Sequence, residues 1–163
     1  IQINFLIRVE KGIKNIMNMI YIYNMNTSYL DSISYNDTIP FVHPIQYGKV
    51  IKVYDGDTIT IAAKLPNTDA PIYRFSVRLN GIDTPEIRGK SEAEKELAYF
   101  VRDALSERIM GKIVELRNVS NEKYGRILAD VYLGDEHING WLVDENFAVL
   151  YDGGKKHRPA SWD

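Results

Sequence analysis

Apolar and polar positions alternate most regularly after Gly48. Lys49–Tyr54 and Thr58–Ala63 are short β-branched runs, and Tyr73–Leu79 sets Tyr, Phe, Val and Leu against Arg74, Ser76 and Arg78. A period of two puts one face of a strand in a core and the other in water, so three strands are predicted. Asp55-Gly56-Asp57 between the first two has the composition of a tight hairpin turn, and Lys64–Pro71 reads as a polar loop. The period changes at Ser91. Ala93, Leu97, Phe100, Val101, Ala104 and Leu105 recur at helical spacing. Ser91 and Glu94 fit a capping box at the start of that helix, and Gly111 fits its stop. Three strands are predicted beyond it, at Lys112–Arg117, Arg126–Leu133 and Glu136–Ile138. A short helix capped by Asn139 and running through Glu145 should bury Trp141, Leu142 and Val143, with a last strand at Ala148–Tyr151.

Short strands with one long helix between the third and fourth predict an α+β, mainly β fold. The natural candidate is a five-stranded OB-type barrel with one long and one short helix. The regular pattern bounds a domain at residues 48–151. Residues 1–47 lack periodicity and are expected to form an N-terminal extension, with a linker over Asp31–Tyr47 that carries Pro40 and Pro44. Residues 152–163 are a Gly- and Lys-rich tail. The chain begins at Ile1 with Met17, Met19 and Met25 downstream, so an over-extended reading frame is one explanation of the first segment. A loosely attached surface element is the plainer one. Lys11, Lys14 and Asn15 interrupt the apolar residues, and Ile16–Asn26 falls short of the roughly 20 residues that a membrane span needs. No secretory leader or transmembrane segment is therefore expected, and a cytoplasmic location is favoured over secretion.

The 163 residues, 45% apolar and 26% charged, are those of an ordinary globular chain. There are no cysteines, which excludes disulfides, thiolate zinc sites and a cysteine nucleophile. A net charge of −2 argues against a protein that coats DNA non-specifically. The distribution of charge changes that picture. Glu92, Glu94, Glu96, Asp103 and Glu107 crowd the long helix. Arg74, Arg78, Arg88, Lys90, Lys123 and Arg126 surround three motifs, and Lys155, Lys156 and Arg158 follow in the tail. A weakly acidic chain with a basic cleft can still bind phosphates.

The three motifs are Asp55-Gly56-Asp57-Thr58, Ile82-Asp83-Thr84-Pro85-Glu86 and Lys123-Tyr124-Gly125-Arg126. Each alone has a plain structural reading, as a hairpin turn, a Pro-fixed turn and a second hairpin with Gly125 at positive φ. Together they meet the needs of phosphodiester hydrolysis. Asp57 and Asp83 are hard oxygen ligands suited to calcium or magnesium. Arg78 and Arg126 can each grip phosphate oxygens with a planar fork and stabilise the charge of the transition state. Glu86 can orient or deprotonate water. His43, His137 and His157 lie outside the motifs and read as solvated surface groups. Glu92, Glu96 and Asp103 read as a solvated helix face.

In order and separation, the motifs resemble those of the staphylococcal-nuclease (thermonuclease) family over roughly Gly48–Tyr151. The match runs through Val53–Thr58, Arg78–Glu86 and Lys123–Arg126, with an amphipathic helix between the second and third. The resemblance implies an OB-type barrel with calcium held by Asp57, Asp83 and the backbone carbonyl of Thr84. It implies Arg78 and Arg126 on the scissile phosphate, Glu86 acting on the attacking water as base or orienter, and Asp55 as a supporting carboxylate near the metal. Lys123 and Tyr124 match positions that the family uses around a terminal phosphate. The implied activity is cleavage of DNA and RNA with little sequence preference, leaving 5′-hydroxyl and 3′-phosphate ends; a monomer is expected. Tyr151–Lys156 departs from the tyrosine-rich segment that stacks on the nucleotide in secreted members, which bears on affinity more than on chemistry. A catalytically inactive nucleic-acid- or protein-binding module of the same fold is the alternative, and the five intact positions weigh against it. A plain single-strand binder would need an aromatic row on its strands, for which Tyr73, Phe75 and Tyr132 are the only candidates.

Overall fold

A computed structural model describes residues 12–19, 27–154, 159 and 162. It divides into two units, Ile1–Phe41 and Val42–Asp163. In the first, residues 12–19 form a helix, α1, with exposed side chains, and Ser28–Leu30 and Tyr35–Asp37 form single 3₁₀ turns. Ser34 caps the second turn, its N–H and hydroxyl both donating to the Asp37 carboxylate.

The second unit is a barrel. β1 (Tyr47–Asp55) turns through Gly56 and Asp57 into β2 (Thr58–Lys64), which pairs antiparallel with β3 (Ile72–Leu79). A two-residue strand, β4 (Ile82–Asp83), leads to α2 (Glu92–Ile109). β5 (Ile113–Asn121) then returns beside β1, and β6 (Ile127–Leu133) runs antiparallel to β5. β6 also pairs in parallel with β3, through Val77 with Ile127, Arg78 with Leu128 and Leu79 with Ala129. That pairing closes β1, β2, β3, β5 and β6 into the expected five-stranded OB-type barrel. β7 (Glu136–His137) extends β6, α3 (Ile138–Asp144) follows, and β8 (Val149–Leu150) pairs with β4.

Inside the barrel, Val50, Ile59, Ile61, Val77, Val114 and Val131 are fully buried, and Val101, Leu105 and Ile109 of α2 join the same core. Each such side chain contributes about 1.5–3 kcal/mol on leaving water. Irregular pairing in β1 keeps both Val50 and Val53 inward, although they are three residues apart, and turns Ile51 and Lys52 outward. The barrel starts ahead of Gly48, inside the stretch expected as linker. Ile45 is buried in the core, and the Gln46 carbonyl accepts the Leu116 N–H at 2.7 Å.

Three local expectations need correction. The buried stripe of α2 is Glu94, Ala98, Val101, Leu105 and Ile109, whereas Ala93 and Phe100 are exposed. A glutamate occupies the first place on the stripe, so a pattern built from apolar residues alone comes out rotated. Ser91 Oγ accepts the Glu94 N–H as a cap should, but the Glu94 carboxylate reaches other amides. Asn139 does not cap α3, whose N-cap is His137. It is buried instead, its Oδ1 accepting the Val131 N–H and its Nδ2 donating to the Asn80 carbonyl, each at 2.9 Å. Among the described residues no helix is long and apolar enough to cross a membrane.

Candidate active site

Strand register assembles the site. Asp55 pairs with Thr58 across the β1–β2 turn, and Thr58 pairs with Arg78 on β3. The turn carrying Asp57 therefore sits against the end of β3, where the Leu79 N–H donates to the Asp57 carbonyl at 2.8 Å. Gly56 makes the packing above it possible. A Cβ there would lie 2.7 Å from Val101 Cγ1 and 2.9 Å from Thr84 Cβ, so only glycine lets α2 and the Thr84 segment close on the turn. The β4–β8 pairing fixes Ile82 and Asp83 from the other side.

Asp57, Asp83 and Thr84 are all buried, at 4%, 3% and 3% exposure. The Arg78 guanidinium joins the two carboxylates, with Nη1 2.5 Å from Asp57 Oδ2 and Nη2 3.4 Å from Asp83 Oδ1. Its Nη2 also donates to the Ile82 carbonyl at 3.2 Å. Asp55 Oδ1 accepts the Asp57 N–H at 3.2 Å, which holds the turn. Burial, with the Asp55 charge adding to it, pushes the Asp57 carboxyl up to about 7 against the pull of Arg78 and Thr58. On its other oxygen Asp57 accepts the Thr58 hydroxyl at 2.9 Å, and Thr58 Oγ1 in turn accepts Arg126 Nη1 at 3.3 Å. One hydrogen-bonded row therefore links Arg126, Thr58, Asp57, Arg78 and Asp83.

Of the residues singled out from sequence, these four charged groups and Asp55 come together, with Thr84 beside them in the chain. Glu86 is exposed on the segment that follows Thr84 and Pro85. Lys123 lines a groove of about 470 Å³ that begins at Arg78 and includes Asn80, Asn121, Tyr151 and Asp152. Tyr124 lies outside that lining; it is 75% exposed, with Lys123 Nζ 5.0 Å from its ring centroid. Lys155, Lys156, His157 and Arg158 lie outside the described residues. His137 is not a solvated surface group, since it is half-buried and stacked on Tyr132 at 4.8 Å.

Thr58 belongs to this row and Glu122 contacts it, and sequence reasoning gave neither of them a part in it. Glu122 Oε2 accepts Arg126 Nε at 3.3 Å and the Tyr124 N–H at 2.9 Å, so it aims the arginine and shapes the hairpin. Burial would raise its carboxyl, but these hydrogen bonds outweigh it and hold it below its ordinary value. A Glu four residues before an Arg, across a Gly turn, was the available signal.

The donor set decides which metal would suit the site. Asp57, Asp83 and the Thr84 backbone offer oxygen alone, which suits a hard cation such as calcium and not zinc or copper. Arg78 bridges Asp57 and Asp83, and the Asp55 charge acts on Asp57 as well, so this end of the barrel is rich in carboxylate oxygen. Among the described residues no three His, Cys, Asp or Glu side chains converge as a metal cluster, so backbone, water and substrate oxygens would complete the shell.

Comparison with known proteins agrees with this geometry. An uncharacterized protein of Methanocaldococcus jannaschii is 29% identical over 78% of this chain and 71% of its own length. A thermonuclease of Staphylococcus intermedius is 36% identical over 67% of this chain and 63% of its own length. An uncharacterized endonuclease of Escherichia coli is 29% identical over 65% of the chain. The chain thus spans less than two thirds of the latter two, 63% and 61% of their lengths. The family model described as staphylococcal nuclease homologue matches residues 76–161, which takes in the second half of β3, the Arg78, Asp83 and Arg126 positions and more than half of the chain. By that match, and by the closed barrel that carries it, the chain belongs to the staphylococcal nuclease family.

Proposed function

We propose that this chain is a calcium-dependent nuclease that hydrolyses phosphodiester bonds in DNA, RNA or both with little sequence preference. The observation that carries the reading is the row Arg126, Thr58, Asp57, Arg78 and Asp83. It sets two guanidinium groups on either side of a buried carboxylate, and one of them, Arg78, also lines the groove. The names of the relatives, thermonuclease and endonuclease, point the same way.

In this reading Arg78 and Arg126 hold the non-bridging oxygens of the scissile phosphate. Their value is largest in the transition state, where negative charge grows on those oxygens. Asp57, Asp83 and the Thr84 carbonyl hold calcium, which when bound would polarise a phosphate oxygen. Because Arg78 contacts both carboxylates, its guanidinium exchanges carboxylate for phosphate as substrate arrives. Glu86 stays in contact with water and orients or deprotonates the nucleophile. Asp55 supports the Asp57 turn. Lys123 and Tyr124 meet a second phosphate, and Tyr151 offers a ring to a base in the groove.

The test is digestion of an end-labelled oligonucleotide in calcium and in EGTA. Cleavage in calcium alone, leaving 3′-phosphate ends, is the expected result. Equal cleavage in both, or none in calcium, overturns the reading.

A further inference from the structure

Glu94 is a buried charge to which the proposed chemistry gives no part. It lies in the first turn of α2 with 0% exposure, at a place on the buried stripe that the rest of the helix gives to Ala98, Val101, Leu105 and Ile109. An isolated buried carboxylate is strongly unfavourable, so its retention needs hydrogen bonds from the chain around it. Two such bonds come from one loop. Glu94 Oε1 accepts the Glu86 N–H at 3.3 Å, and Oε2 accepts the Lys90 N–H at 3.0 Å.

The rest of the segment is built around the same carboxylate. The Gly89 N–H donates to the Glu86 carbonyl at 2.7 Å and closes a turn between the two clamped amides. A Cβ on Gly89 would come within 2.0 Å of Glu94 Oε2, so the carboxylate fills the space that a side chain at 89 would take. The base of the clamp is fixed as well, since the Glu94 N–H donates to Ser91 Oγ at 3.1 Å. The loop has no strand or helix of its own between Thr84 and Ser91. Its placement depends on this side chain, which hangs from a helix whose next turns are anchored in the barrel core.

We propose that Glu94 is the positioning residue for Glu86. By clamping both ends of the 86–90 segment it fixes the backbone from which the Glu86 side chain springs, two residues from the Thr84 carbonyl. The proposal rests on the nuclease reading and on Glu86 acting on water.

A double-mutant cycle tests it. Glu94→Gln keeps the size but sets an NH₂ group against a backbone N–H. In the wild-type background it should lower kcat by about 10- to 100-fold, as the loss of a supporting partner commonly does, with KM little changed. In a Glu86→Gln background the same substitution should cost less than about twofold more, because nothing remains to be positioned. Gly89→Ala, which displaces the carboxylate from the other side, should reproduce both results. Equal losses in the two backgrounds would reduce Glu94 to a structural part and overturn the proposal.

Should these variants fail to fold, amide hydrogen exchange on the wild-type chain decides. The Glu86 and Lys90 amides should exchange slowly, and exchange at the rate of a free loop rejects the clamp. If the wild-type chain does not cut in calcium, the nuclease reading fails and with it the role for Glu86. The exchange measurement still shows whether the clamp exists.

Discussion

The two sides of the candidate site, a buried wall and an exposed one, are built on opposite principles. On one, Asp57, Asp83 and Thr84 are 3–4% exposed, with Arg78 tying the two aspartates together and α2 packed over Gly56. On the other, Lys123, Tyr124 and Gly125 are exposed at the tip of the β5–β6 hairpin, and Glu122 and Arg126 are the partly buried groups at its base. A buried carboxylate is weakly screened and costly to leave unpaired, so its position is enforced by its partners. An exposed lysine is screened and free to move, so it can attract a phosphate but cannot place one to a fraction of an ångström. In the proposed reading, reaction geometry therefore belongs to the buried wall, and recruitment of the polymer to the exposed one. Arg126 stands between them, anchored at the hairpin base yet hydrogen-bonded through Thr58 to Asp57.

Arg78→Ala should give the largest effect, because it strikes both stability and chemistry. Without the guanidinium, the buried Asp57 and Asp83 lose the cation that they share, and breaking a buried ion pair costs about 3–5 kcal/mol. Urea unfolding in EGTA should show that loss, and added calcium should recover part of it by restoring positive charge. In calcium, kcat should fall by about 10²- to 10³-fold. Unchanged stability in EGTA would mean that the buried wall does not depend on its cation.

Arg126→Ala comes next and should separate the two properties. Removing its charge from the phosphate should cost about 10²-fold or more in kcat. Its side chain is 28% exposed and its partner Glu122 can regain water, so the unfolding free energy should move by no more than about 1 kcal/mol. A stability loss as large as that of Arg78→Ala would place Arg126 on the buried wall and erase the distinction.

The buried wall is also the part that was most legible in the sequence. Asp57, Arg78 and Asp83 stand in short motifs at strand ends, where β-branched alternation marks the strands and Gly or Pro marks the turns. The barrel was legible for the same reason, since each strand bears a one-sided apolar pattern. What escaped was whatever depends on contact between segments. Glu94 looks like a surface or capping acid until the 86–90 loop is folded over it. Asn139 looks like a cap until Asn80 and Val131 arrive from the turn after β3 and from β6. β4 is two residues long and exists only because β8 pairs with it, so no period could have shown it. Buried polar groups satisfied at long range break local patterns, and such groups tie the site together.

Lys123→Ala should give the smallest effect and the sharpest view of the exposed wall. The side chain lines the groove next to Arg78 and Tyr151 and sits over the Tyr124 ring. If it contributes one phosphate contact, its loss should raise KM by a few-fold on any sequence and leave kcat unchanged. It should also flatten the plot of log affinity against log salt by about one unit or slightly less, the share of one released counterion. The measurement is KM and kcat on a single-stranded oligonucleotide at several salt concentrations. A drop in kcat with the salt slope intact would mean that Lys123 helps set the reaction geometry. The division of labour between a buried wall that places and an exposed wall that gathers would then fail at its simplest point.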